Sequence, residues 1–228
     1  MNNLAIIPAR GGSKRIPRKN IKFFLDKPII AYSIEVALKS GLFTEVMVST
    51  DDDEIAEIAV KYGASVPFIR SRENADDQAT TIAVLKEVIA TYISHNKLFE
   101  YACCIYPTAP LINSAALASG YKYLQAEKLS SVFPVVEFTY PVWRGFKLDD
   151  SNTPRLVWPQ YLNSRSQDLD KVYHDAGQWY WFDPGKLDDT LFTDNSKSII
   201  LDETQVQDID NLTDWRMAEI KFKLLNDR

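Results

Sequence analysis

Between positions 8 and 20 the chain reads Pro8-Ala9-Arg10-Gly11-Gly12-Ser13-Lys14-Arg15-Ile16-Pro17-Arg18-Lys19-Asn20, with five cations and no acid. Two adjacent glycines let a backbone approach an anion closely and turn its N–H groups towards it. Ser13 adds a hydroxyl donor, and the arginines and lysines supply charge. The formal net charge is -5, so the rest of the chain sums to -10. A short basic loop on an acidic body suits a small polyanion and gives no support to a broad nucleic-acid-binding surface. The spacing is neither GxxxxGK[ST] nor GxGxxG, which argues against ordinary ATPase, kinase and dinucleotide-dependent chemistry. The plainer alternative is a basic surface loop closed by a tight turn.

Two further places carry oxygen or nitrogen donors at useful spacing. Asp208 and Asp210 are two residues apart, so in extended backbone both carboxylates project to one side. Hard oxygen ligands of this kind suit Mg²⁺, but aspartates just before a helix also serve as caps, and both readings stand on spacing alone. Tyr173-His174-Asp175-Ala176-Gly177-Gln178 places His174 beside a carboxylate, where a structural histidine is an equal alternative. The two histidines, His95 and His174, are far apart in sequence, and no Ser-His-Asp arrangement is evident.

These residues need a frame. Leu4-Ala5-Ile6-Ile7 is an apolar run suited to a strand buried on both faces. A helix is expected after Asp26, capped by it, with Pro28 in its first turn, Ile30, Ile34, Ala37 and Leu38 as its stripe and Gly41 at its end. Val46–Val48 reads as a strand. Asp51 and Glu54 have capping-box spacing for a helix with Ile55, Ile58, Ala59 and Tyr62 inward. A short strand over 65–68, a helix from Thr81 and strands at 101–106 and 131–136 around a helix at 114–126 continue the alternation. Strands at 179–182 and 199–201 precede a last helix from about Thr213. It is read as burying Trp215, Ala218, Phe222 and Leu225, with Met217, Ile220 and Leu224 beside them. Alternating strands and helices predict an α/β fold with a mainly parallel sheet covered on both faces, binding ligands at the carboxyl ends of its strands.

From 138 to 172 the alternation stops and prolines and aromatics concentrate, Trp143, Phe146, Trp158 and Tyr161 among them. We read this as an arm within a single 228-residue domain, packed on a partner subunit or folded back on its own sheet. Cys103 and Cys104 are neighbours in an apolar strand and point to opposite faces, which predicts buried thiols and no disulfide. No apolar run approaches the ~20 residues a membrane span needs, and Met1-Asn2-Asn3-Leu4 lacks a basic leader, so a cytoplasmic protein is expected.

The run Ile6 to Ile21 closely resembles the N-terminal signature of the CMP-sialic acid synthetase family. The likeness continues through Val48-Ser49-Thr50-Asp51, Arg70 to Thr81, Tyr106-Pro107-Thr108-Ala109-Pro110 and Gln207-Asp208-Ile209-Asp210. It implies a Rossmann-like nucleotidyltransferase sheet, a homodimer built through the arm, and transfer of CMP from CTP to a nine-carbon sugar acid with loss of pyrophosphate. Ala9, Arg10, Gly11, Gly12, Ser13, Lys19 and Asn20 are then the phosphate and ribose contacts, with Arg10 at the transferred phosphate. Arg10, Lys19, Asp208 and Asp210 are the implied catalytic set, and the two aspartates hold Mg²⁺.

Arg70 and Thr81 fall at positions that face cytosine in the family; without the likeness, a solvated arginine and a helix cap would be the simpler reading. Tyr106, Thr108, His174 and Gln178 fall at the sugar. Here the chain departs from sialic acid enzymes. His174 stands for an arginine, Ala176-Gly177-Gln178 for an Asn-Gly-Ala run, Tyr106 for a glutamine and Ile112 for an arginine. The departures make the chain most similar to the pseudaminic acid cytidylyltransferases within that family. Legionaminic or N-acetylneuraminic acid as acceptor, and a non-catalytic nucleotide-sugar-binding protein, are the alternatives.

Overall fold

The computed structural model describes residues 2–76 and 78–226. In chain order the elements are β1 (Asn3–Pro8), β2 (Phe23–Phe24), β3 (Lys27–Pro28), α1 (Ile29–Ser40), β4 (Glu45–Ser49), α2 (Asp53–Lys61), α3 (Thr81–Ser94) and β5 (Tyr101–Ile105). They continue as α4 (Ser114–Glu127), β6 (Ser131–Glu137), β7 (Phe146–Leu148), β8 (Pro154–Leu156), β9 (Tyr173–Asp175), β10 (Trp179–Phe182), β11 (Ser196–Leu201) and α5 (Leu212–Asn226).

The main sheet has the order β11-β6-β10-β5-β1-β4, with β9 also paired to β6. β4, β1 and β5 are mutually parallel, and β6 and β11 are parallel to each other. β10 enters between β5 and β6 antiparallel to both. The expected mainly parallel α/β sheet is therefore present, with one reversed strand at its centre.

Side-chain alternation along β1 divides the core. Ala5 and Ile7 join the face covered by α1, α2 and α4, through Ile34, Ala59, Leu117 and Leu124 among others. Leu4 and Ile6 join the opposite face, covered by Leu85, Val88 and Tyr92 of α3. Cys103 and Cys104 divide the same way, both are fully buried, and burial raises both thiol pKa values. Trp179 and Trp181 share one core face and Tyr180 takes the other, as strand alternation requires.

Two caps differ from the sequence reading. Asp26 does not cap α1; its carboxylate accepts the Tyr32 hydroxyl at 2.6 Å, and Pro28 occupies the N-cap after pairing in β3. Asp52, not Asp51, caps α2 by accepting the Ile55 N–H at 3.0 Å. Residues 65–68 contribute only a bridge between Ser65 and Met47. The last helix buries Trp215 and Ala218, but Met217, Ile220 and Leu224 are exposed.

Beyond Phe138 the chain leaves the sheet. It forms the β7–β8 hairpin and a ring cluster in which Trp143 lies 5.5 Å from both Trp158 and Tyr161. Part of the aromatic content thus packs within the arm, while Tyr140, Phe146 and Leu148 remain exposed.

Candidate active site

β1 ends at Pro8, and the basic loop begins where the sheet's carboxyl edge opens. Gly11 is required there for a reason other than anion approach. A Cβ on it would stand 2.6 Å from an Asp52 carboxylate oxygen, whereas one on Gly12 would meet open space. The Gly11 N–H donates to Asp51 at 3.1 Å, and Asn20 donates to the Arg10 carbonyl at 2.9 Å. Arg18, held in left-handed backbone at φ 55°, grips Asp52 at 2.5 and 2.9 Å and Glu54 at 2.5 Å. Its hydrogen bond to Asp52 is the main reason its pKa rises and that of Asp52 falls. The loop is therefore clamped to the N-terminus of α2 instead of swinging free.

A cavity of about 440 Å³ opens beside it. Arg10, Ser13, Lys19, Asn20, Arg70, Thr81, Tyr106 and Thr108 all line it. Of the predicted phosphate contacts, Ala9 is buried beneath the loop with its N–H on the Ser49 carbonyl, and Gly11 and Gly12 are not part of the lining. Among the described residues the lining includes the cations Arg10, Lys14, Arg15, Lys19 and Arg70 against one acid, Asp76. Converging cations on partly buried walls complement a polyphosphate.

Each wall has its own support. Arg70 is buried, donates from Nε to the Ser49 hydroxyl at 3.0 Å and also bonds the Ser49 carbonyl, and burial lowers its pKa. Thr80 caps α3 by accepting the Ala83 N–H at 3.2 Å, so Thr81 is not the cap and faces the cavity instead. The Thr81 and Tyr106 hydroxyls stand 3.2 Å apart. Lys19 is half-buried, which lowers its pKa against the pull of Asp210 and Asp208.

Lys19 also ties the cavity to the Asp-x-Asp segment, donating to the Ile209 carbonyl at 2.7 Å. Ile209 is fully buried between the two aspartates, and Arg15 pairs with Asp210 at 2.6 Å. The caps of α5 are other residues. Asn211 accepts the N–H groups of Thr213 and Asp214, and Asp214 accepts those of Asp210 and Asn211. Neither Asp208 nor Asp210 is consumed by capping.

His174 and Gln178 lie elsewhere. The His174 ring packs 4.7 Å from Phe138 with Nδ1 beside the Asp175 carbonyl, and it is exposed. Gln178 is buried and donates to the Gln205 carbonyl at 2.6 Å. Sequence reasoning read Lys14 and Arg15 only as part of the loop's charge and did not single out Asn74 and Asp76, all four of which line the cavity. Arg10 donates to the Asp76 carbonyl at 2.6 Å, and Glu87 holds the 71–74 turn through Ser71 and Asn74. A polar stretch between two core elements was the available signal for that second loop.

The cytidylyltransferase family profile matches residues 4–142. The chain belongs to this family. Among curated cytidylyltransferases, the pseudaminic acid cytidylyltransferase of Campylobacter jejuni is 45% identical over 227 residues, covering 98% of this chain and 97% of that one. The CMP-N,N'-diacetyllegionaminic acid synthase of Legionella pneumophila is 30% identical over 98% of this chain and 97% of its own length. Among solved structures, CMP:2-keto-3-deoxy-manno-octonic acid synthetase complexed with CTP superposes with a TM-score of 0.69 at 15% identity, covering 100% of both chains. That likeness establishes the nucleotidyltransferase fold of this cytidylyltransferase. Its basic loop, Arg70, Thr81 and Tyr106-Pro107-Thr108 fall inside the matched region.

Proposed function

We propose that this cytidylyltransferase transfers CMP from CTP to the anomeric hydroxyl of pseudaminic acid, releasing pyrophosphate. The convergence of five cations, Arg70 among them, with Thr81 on one cavity at the carboxyl edge of the sheet carries the nucleotide half of the reading. The 45% identity to a pseudaminic acid cytidylyltransferase along nearly all of both chains supports the sugar half.

The nucleophile belongs to the substrate, so the protein's work is to bind the triphosphate, hold the attack in line and spread the developing charge. Arg10 and Lys19 sit where they can neutralise phosphate oxygens, and Arg70 and Thr81 offer the donors and acceptor that distinguish cytosine from uracil. Asp208 and Asp210 offer a magnesium ion two hard oxygen donors that no cap employs, in the segment that Lys19 and Arg15 of the cavity wall hold through the Ile209 carbonyl and Asp210. Among the described residues no cluster of three or more acidic, histidine or cysteine side chains would hold a metal alone. Mg²⁺ takes its remaining ligands from water and phosphate. When bound, the ion supplies charge neutralisation at the phosphates.

We further read the protein as a homodimer, with the exposed apolar residues of the arm as the surface of association. Among the described residues no helix is long and apolar enough to cross a membrane. We place the activity in the cytoplasm, where CTP is made.

The test is pyrophosphate release from CTP and Mg²⁺ with pseudaminic, N,N'-diacetyllegionaminic, N-acetylneuraminic and 3-deoxy-manno-octulosonic acids. Turnover greatest with pseudaminic acid is expected. A preference for another acid would overturn the sugar assignment, and CTP binding without turnover on any of them would overturn the transferase reading.

A further inference from the structure

β9 and β10 run along the same edge of β6, but not in even register. Asp175 pairs with Val135 and Trp181 with Val132, so six residues of one strand advance against three of the other. The slack is the bulge Ala176–Gly177–Gln178, where Gly177 turns through φ 62°. Bulges re-aim side chains beside functional sites. Here the re-aimed group is Asp175. Its Oδ1 accepts the Gly177 N–H at 3.0 Å, and its Oδ2 accepts the Tyr180 hydroxyl at 2.5 Å. A carboxylate offers about four lone-pair directions, so two donors fix it and leave acceptor capacity.

Asp175 lines a second cavity, of about 220 Å³, which shares Thr81 and Tyr106 with the nucleotide cavity. Tyr180, Leu191 and Phe192 give this space apolar walls. The other acid at its edge, Asp189, is engaged by Lys86 at 2.7 Å.

We infer that Asp175 is a specificity-determining residue for the sugar acid, accepting the N–H of the second acylamino substituent of a diacylamino sugar acid, whose methyl end packs against Leu191 and Phe192. The inference rests on the transfer reaction proposed above. The chemistry narrows the choice of group. Like-charge repulsion keeps the sugar's own carboxylate away from Asp175. A fixed acceptor next to aromatic and aliphatic walls matches a substituent with one donor and an apolar end better than it matches a hydroxyl. A site built to hydrogen-bond a substrate group also discriminates strongly against analogues without it.

The experiment compares wild type, Asp175→Asn, Asp175→Ala and Tyr180→Phe. Pyrophosphate release is measured at saturating CTP against pseudaminic acid, which carries two acylamino groups, and N-acetylneuraminic acid, which carries one. CTP affinity is measured separately by calorimetry, and thermal unfolding checks that each variant folds.

Asp175→Ala is expected to raise the KM for pseudaminic acid about tenfold or more and to narrow the preference between the two acids. Asp175→Asn, which keeps one acceptor oxygen and the shape, should fall between Ala and wild type, and it carries the test if the alanine variant does not fold. Tyr180→Phe should produce a smaller rise, because it removes only a donor that orients Asp175. CTP affinity should stay within about twofold of wild type in every variant. An unchanged KM for the sugar acid in both Asp175 variants, or a loss of CTP affinity in step with it, overturns the assignment. A wild-type protein that transfers CMP to no sugar acid overturns the reaction itself, and the role of Asp175 with it.

Discussion

At the residue scale, Arg10 and Lys19 separate charge that binds from charge that positions. Arg10 reaches across the cavity mouth to the Asp76 carbonyl, so it joins the basic loop to the loop before α3. Arg10→Ala should lower kcat by about 10²–10³-fold, the cost of losing one preorganised donor to a developing anion. A steady-state comparison that finds only KM for CTP changed would demote Arg10 to ground-state binding.

Away from the site, Glu45 shows how a single carboxylate makes stability depend on pH. Burial pushes its pKa up, but hydrogen bonds from Lys97, Tyr92 and Ser65 outweigh that and leave it depressed. The group therefore contributes fully above its unfolded value of about 4.3 and is lost as pH falls through its lower folded value. Glu45→Ala should cost about 1.5–3 kcal/mol near neutrality, the range for hydrogen bonds to a charged group. The gap to wild type in denaturant melts should close as pH drops below that window; a gap independent of pH would contradict the assignment.

At the element scale, α2 and the basic loop stabilise each other through Asp52. It caps the helix and receives Arg18, and its side chain is what a Gly11 Cβ would strike. Asp52→Ala should cost about 1–2 kcal/mol from the cap alone and loosen the loop as well. Asp52→Asn retains a capping oxygen and weakens the clamp, so a fall in CTP affinity with little fall in melting temperature is expected for it.

α4 meets the sheet at Gly120, where a Cβ would lie 2.6 Å from two ring carbons of Trp179. Gly120→Ala should destabilise by roughly 1–3 kcal/mol through overpacking, read by urea denaturation with Trp fluorescence. A neutral substitution would mean that the Trp179 ring can withdraw at no cost.

Most elements were legible because their signals are local. The apolar run at 4–7 fixes a buried strand, and the stripe of α1 fixes a helix with Ile30, Ile34 and Ala37 inward, although Leu38 is exposed. The caps were less so: Asp51, Asp52 and Asp53 are consecutive, and only backbone geometry decides which carboxylate turns back on the helix. The nucleotide half of the site was legible because one continuous segment supplies much of it. Asn74, Asp76 and Asp175 were not, because their place depends on a second loop and a strand bulge far away in sequence. The exposure of Met217, Ile220 and Leu224 was missed for a related reason, since periodicity reports an apolar side without saying what covers it.

At the scale of the whole molecule, the arm is the segment that its own sheet leaves least covered. Tyr140 is 84% exposed, Leu148 63% and Phe146 61%. If these residues form the dimer surface, sedimentation should give a two-chain mass for wild type. Phe146→Ser with Leu148→Ser should shift it towards one chain while leaving the monomer folded, because neither residue belongs to the buried core. A single-chain mass for wild type at micromolar concentration would refute the assignment.

The reversed strand at the centre of the sheet also bears on how the chain is made. β1, β4 and β5 are complete by Ile105, yet β5 and β6 are not joined until Trp179–Phe182 is laid between them. A polypeptide emerging from the ribosome therefore presents the open edge of β5 and both edges of β6 for some forty residues of synthesis after β6, including the whole arm. Nascent chains stalled before Trp179 should be cut readily within β6, and those stalled after Leu201 has cleared the tunnel should resist. The protein's exposure to aggregation is thus concentrated in one interval of translation, when a chaperone has the most to protect.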